Sequence, residues 1–206
     1  MRRPRTAARV TGTAVTGAGA EVLLETARLR LRRFTPDDAP HVLELDGDPA
    51  VVGPTGTFLK AGNRIPDATW SLTHTLGRFL AANGRDGPFG YWLAEDRAEA
   101  AFCGWFRFTR DGGDPAVVEL GYRMRSALWG RGLATEGARA LVARAFAEPA
   151  VERVVATARA DNVGSCRVLE KAGLSLVGRF TGDGDLVRVA YACERGAWAG
   201  AAAPAE

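Results

Sequence analysis

Apolar and polar residues alternate strictly over residues 27–33, with Leu29 and Leu31 facing one way and Arg28, Arg30 and Arg32 the other. A period of two predicts a first strand with one wet face. Thr35-Pro36-Asp37-Asp38 then supplies a capping threonine, a proline for the first helical position and two acids for the positive first turn. These predict a helix running to about Leu45. Residues 47–66, interrupted by Gly53, Gly56, Gly62, Pro49 and Pro54, predict a loop. A second helix is predicted from Asp67 as its cap, through Trp70, Thr73, Leu76 and Leu80, to Asn83-Gly84 as its stop.

Residues 89–95, 101–110 and 116–124 are rich in aromatic and β-branched side chains and are joined by short polar turns. They predict an antiparallel meander. From Gly132 the period becomes helical, with Leu133, Leu141, Val142 and Ala145 on one stripe up to Phe146 and Pro149 beyond it. A strand over 151–158 and a helix over 162–171, stopped by Gly173, follow. Residues 174–180 and 186–192 predict a closing hairpin around Gly182-Asp183-Gly184-Asp185. The order β-α-α-β-β-β-α-β-α-β-β makes a mixed α/β (α+β) fold with one central sheet, and no internal repeat interrupts it.

Composition narrows the class. Of the 206 residues, 47% are hydrophobic and 25% charged, which suits one folded domain rather than a disordered chain. No apolar run approaches the roughly 20 residues that span a bilayer, so no membrane partner is expected. The net charge of +3 is concentrated in Arg2, Arg3, Arg5 and Arg9, ahead of the first acid, and leaves the rest near neutral. A basic tail on a neutral domain argues against nucleic acid. Cys103, Cys166 and Cys193 form no metal-ligand or disulfide pattern, and His41 and His74 are the only histidines, so no metal site is expected. Residues 1–22 are expected to be a disordered basic tail, too polar for the apolar segment of a secretory signal, with 23–198 as the domain and 199–206 as a second tail.

Gly130 and Gly132 stand where a strand gives way to a helix. The first helical amides there have no partner within the helix and the dipole is positive, so an anion fits. Glycine admits positive φ and keeps Cβ away from the ligand, which lets several amides converge on a pyrophosphate. Taken alone, the two glycines fit a tight corner equally well. A dinucleotide fingerprint is incomplete, since Thr135 stands at its third glycine and Glu152 opens a strand where the ribose acid should end one. The second strand-to-helix junction reads Ala160-Asp161-Asn162-Val163-Gly164-Ser165, in which Asn162 and Ser165 are also ordinary helix-start residues.

Together, in this order and spacing, the sequence resembles the GNAT superfamily of acyl-CoA-dependent N-acyltransferases, and most closely its RimJ/RimL-like branch. The resemblance runs over about 24–198. It is carried by Leu24-Glu25-Thr26-Ala27-Arg28-Leu29-Arg30-Leu31-Arg32, Glu119-Leu120-Gly121-Tyr122, Trp129-Gly130-Arg131-Gly132-Leu133-Ala134-Thr135-Glu136, Asn162-Val163-Gly164-Ser165 and Lys171-Ala172-Gly173-Leu174. Gly132 and Ala134 match the end of the superfamily's acyl-CoA signature, while Trp129 replaces its usual Gln or Arg, as in the RimJ/RimL-like branch.

The resemblance implies a mostly antiparallel twisted sheet of six to seven strands flanked by about four helices, in a cytoplasmic N-acetyltransferase that uses acetyl-CoA and no metal. It implies that the amides of Gly130, Arg131, Gly132, Leu133, Ala134 and Thr135 hold the pyrophosphate. The strand end near Arg123 and Met124 would pair with the pantetheine, and a backbone amide of one of them would receive the oxyanion. Asn162 would bond the pantetheine arm and Ser165 would lie near the sulfur, as one source of the leaving thiolate's proton; no clear tyrosine match stands out. Glu119 is the candidate general base, although a glutamate there could equally orient the amine or pair with an arginine. The acceptor would be a small-molecule amine or a protein N-terminus, and a homodimer is compatible with the branch. A non-catalytic acyl-CoA-binding module of the same fold is the alternative.

Overall fold

A computed structural model describes residues 20–55, 65–111, 113–182 and 185–198. The expectations for most of the N-terminal tail, for 56–64, for the tip of the last hairpin and for 199–206 lie outside the described residues.

The chain enters as a hairpin: β1 (Val22–Glu25) pairs with β2 (Leu29–Arg33). Its turn lacks the usual Gly, Asn or Asp; instead the Thr26 hydroxyl accepts from the Leu29 amide at 2.8 Å. That substitute hides the hairpin in the sequence, where residues 27–33 read as a single strand. The expected wet face of β2 is partly covered: Arg32 binds both oxygens of Asp38 at 2.8 Å and reaches Glu95 at 3.0 Å. Arg33, on the same face as Leu29 and Leu31, is buried 3.7 Å over the Trp92 ring.

Thr35 and Asp38 form the predicted capping box, with Asp38 accepting from the Thr35 amide at 2.8 Å, and α1 (Ala39–Gly47) follows. The loop expected over 47–66 contains a further short helix, α2 (Pro49–Val52), capped by Asp48 and started by Pro49. α3 joins Ala68–Trp70, a π-helical Ser71–Leu76 and Gly77–Ala82, with the Asp67 side chain accepting from the Trp70 amide at 2.8 Å.

β3 (Gly90–Asp96), β4 (Phe102–Asp111) and β5 (Asp114–Met124) form the expected antiparallel meander. After α4 (Leu133–Phe146) come β6 (Arg153–Arg159), α5 (Val163–Lys171), β7 (Ser175–Thr181) and β8 (Val187–Glu194). The sheet has eight strands in the order β1-β2-β3-β4-β5-β6-β8-β7, one more than the upper estimate because of β1. β7 is its outer edge.

Among the described strands only β5 and β6 run parallel, and their pairing covers just Val117 to Glu119 against Arg153 to Val155. Past Glu119, β5 stays with β4 and β6 with β8, so the sheet opens into a wedge. Alternation along β5 sends its side chains to two layers. Leu120 and Met124 pack with Phe106 under α4 and α5, where Gly137 has no Cβ because the Phe106 ring occupies that space. On the other face Phe34, Leu45, Phe79 and Tyr91 form a second core under α1 and α3.

Candidate active site

The wedge exposes one edge of β5. The Arg125 amide donates to Cys103 O at 3.0 Å, on the β4 side. Antiparallel alternation therefore turns the Arg123 amide to β4 as well, and the Tyr122 and Met124 amides to the open edge. Of the two expected oxyanion donors, Met124 faces the cleft with its amide and Arg123 does not. The Met124 carbonyl is taken by the Trp129 indole at 3.0 Å, which ties the turn after β5 to the strand end.

That turn ends in Gly132, the N-cap of α4, with no side chain capping the helix. Gly130 and Gly132 both have φ of 77°, in the left-handed region that L side chains avoid. Among the described residues no acceptor is bonded to the amides of 130–135, and Gly130 has open space where a Cβ would point. The turn is braced from behind. Arg28 donates to Arg131 O at 2.8 Å and to Glu136 at 2.7 Å, and Thr26 donates to Glu136 at 2.6 Å. Burial alone would raise the Glu136 pKa, but the bonds from Thr26 and Arg28 outweigh it and hold the carboxyl below its ordinary range.

Across the wedge, Asn162 caps α5 by accepting from the Ser165 amide at 3.1 Å, leaving its amide nitrogen to donate elsewhere. Ser165 Oγ lies 3.0 Å from the hydroxyl of Tyr122, a residue of β5 for which sequence reasoning found no role. Burial pushes the Tyr122 phenol up to about 12, against the opposing pull of the Ser165 bond. The hydroxyl stays protonated over the physiological range. The available signal was alternation: Leu120, Tyr122 and Met124 share one face of β5.

A cleft of about 1510 Å³ runs through the wedge. Arg123, Met124 and Trp129 line it, as do Gly130, Gly132, Leu133, Ala134 and Thr135, together with Asn162 and Ser165. The structure thus brings most of the expected site residues to one cavity, larger than the ~300–1,000 Å³ of usual ligand pockets. Arg131 is not in the lining. Glu119 is also outside the lining, at the vertex where β5 leaves β6, and its carboxylate is paired with Arg107. Arg107 itself faces the cleft.

The far wall comes from the other face of the sheet and from α3: Trp70, His74, Thr75 and Arg78 against Trp105 and Arg107. Arg123 reaches back from this face to buried Asp46, whose second oxygen accepts from Thr75 at 2.8 Å. Among the described residues no group of His, Cys, Asp and Glu is placed to hold a metal ion. No described helix is long and apolar enough to cross a membrane.

A wedge between parallel strands, an uncapped glycine-rich helix start and a pair of hydroxyls thus face one cleft. The family model for the acetyltransferase (GNAT) domain matches residues 28–175, and the chain belongs to that family of acetyltransferases. Among curated proteins it is similar to the FsC-acetyl coenzyme A-N(2)-transacetylase of Aspergillus fumigatus, 29% identical over 177 residues, covering 78% of this chain and 68% of the relative. Among solved structures it resembles the aminoglycoside acetyltransferase AAC(6')-Ib in complex with coenzyme A, with a TM-score of 0.66 at 23% identity over 82% of this chain and 96% of the other. It also resembles RimL, the ribosomal L7/L12 alpha-N-protein acetyltransferase in complex with coenzyme A, with a TM-score of 0.70 at 17% identity over 84% and 98%. These structural likenesses share the fold.

Proposed function

We propose that this chain transfers the acetyl group of acetyl-CoA to a primary amine, by direct attack in a ternary complex. One observation carries the reading: amides of the turn and of the β5 edge, with no acceptor among the described residues, face the same cleft. The residues present fit the donor. The amides of 130–135 suit a pyrophosphate at a positive helix end, and the Tyr122 and Met124 amides suit the pantetheine amides as an added strand. Bound acetyl-CoA supplies the activated acetyl thioester; the protein holds and orients it. Trp129 in the turn and the likeness to RimL support a place in the RimJ/RimL-like branch. A cytoplasmic location fits the three free cysteines.

The Met124 amide is the donor to the developing oxyanion, pre-aimed because its strand has no partner on that side. Tyr122, supported by Ser165, donates a hydrogen bond to the departing sulfur. A phenol near 12 is a weaker acid than an ordinary thiol by about 3–4 units, so its role is to stabilise the thiolate rather than to ionise against it. Glu119 holds Arg107 in the acceptor wall and acts on the amine through it, as a positioning residue. The alternative, a module that binds acyl-CoA without turnover, has no need of a hydroxyl pair beside the sulfur.

Thiol release from acetyl-CoA, measured against a panel of amines and peptides, tests the reading. Acceptor-dependent release is the expected result. Tight acetyl-CoA binding with no release for any acceptor would establish the non-catalytic module instead.

A further inference from the structure

The acceptor half of the cleft is short of negative charge. Its facing titratable groups are Arg78, Arg107, Arg123 and His74. Two nearby carboxylates lie behind these arginines: Asp46 is 1% exposed and shared between Arg123 and Thr75, and Glu119 is paired with Arg107 outside the lining. A third, Asp67, caps the start of α3 by accepting from the Trp70 amide and is also outside the lining. The single acid in the lining, Asp161, sits beside the Asn162 cap and is engaged by Arg159.

Arg78 is the clearest case. It is exposed on the cleft face of α3, 5.1 Å from the Tyr91 ring, and among the described residues no carboxylate is paired with it. The turn amides and α5 that would face the phosphates lie on the opposite face of the sheet from α3. The donor's phosphates therefore leave the Arg78 charge uncompensated.

Resting on the acetyl-transfer reading above, we infer that the acceptor is an amine that also carries a carboxylate or similar anion, with Arg78 as the residue that binds the anion. Trp70, stacked on His74 at 5.0 Å, and Trp105 give the organic part of such a molecule two aromatic walls. The same cations favour the neutral form of a nearby amine, which is the form that attacks. A polyamine would bring several like charges into this half of the cleft with no carboxylate to meet them.

The test uses the full chain, acetyl-CoA and charge-matched acceptors: phenylalanine and glutamate against their amides, peptides with an acidic second residue against lysine counterparts, and spermidine with an aminoglycoside. The carboxylate-bearing amines are expected to exceed their amides at least about tenfold in kcat/KM. The free amino acids and the acidic peptides distinguish the two sources of such an amine. Arg78→Ala should remove the preference by raising KM for the acids alone, with acetyl-CoA affinity unchanged by calorimetry, and Arg78→Lys should restore part of it. Equal rates for acid and amide, faster turnover of polyamines, or no turnover of any acid overturns the inference. If acetyl-CoA still binds and polyamines are acetylated, the acetyl-transfer reading survives that result; if acetyl-CoA does not bind, both fall.

Discussion

The Tyr122 hydroxyl and Ser165 Oγ meet at 3.0 Å across the open wedge, one from the free edge of β5 and the other from the first turn of α5. The pair exists because β5 and β6 part after Glu119, which lets the start of α5 reach the β5 edge. If the pair stabilises the departing sulfur, Tyr122→Phe should lower kcat by about 10²-fold, the low end for removing one hydrogen-bond donor to a developing anion. Acetyl-CoA affinity should barely change. Ser165→Ala, which leaves the phenol in place, should have the smaller effect. Steady-state kinetics with a calorimetric Kd for each variant checks this; an unchanged kcat in Tyr122→Phe would remove the phenol from the chemistry.

The charge state of the acceptor wall separates two roles for Glu119. Its carboxylate pairs with Arg107 rather than facing the cleft. Glu119→Gln should therefore raise the acceptor KM and leave the shape of the kcat pH profile intact. Loss of the acidic limb of that profile would instead make Glu119 the proton acceptor.

Gly132 caps α4 with φ of 77°. A Cβ there would meet only Arg28 Nη2, at 3.5 Å, so the strain comes from the backbone conformation rather than from crowding. A left-handed conformation costs an L residue about 1–2 kcal/mol. Gly132→Ala should weaken acetyl-CoA about tenfold by relaxing the turn, and Gly132→Val by more. Calorimetry, with thermal unfolding as a control for folding, checks it.

The brace behind the turn is pH-dependent. Thr26 and Arg28 hold the Glu136 pKa below its ordinary value. A depressed carboxyl stabilises the fold above the unfolded value of about 4.3, and that contribution is lost as pH falls through the folded value. The difference in melting temperature between the native protein and Glu136→Gln should thus be full at neutral pH and shrink below about pH 4. A difference that is constant with pH would show that the brace is not electrostatic.

Much of this site was legible in local sequence. Gly130, Gly132 and the Asn162 cap announce themselves because helix starts are encoded by neighbours in the chain, and the meander by its alternation. The β1 turn was not, since a threonine hydroxyl replaces the usual turn residues. The Arg107–Glu119 and Tyr122–Ser165 contacts depend on register between strands and on the wedge angle, which no local pattern records. Trp129 was read as a mark of its branch; its bond to Met124 O gives it a structural task as well.

The proposed site holds the pyrophosphate of acetyl-CoA on the amides of 130–135. Calorimetric titration with acetyl-CoA and with acetyl-pantetheine, which lacks the nucleotide and its phosphates, tests it most directly. Acetyl-CoA should bind far more tightly, and Gly132→Val should erase most of that advantage while leaving the weak acetyl-pantetheine affinity alone. Equal affinity for the two ligands, or an advantage untouched by Gly132→Val in a folded protein, would contradict it.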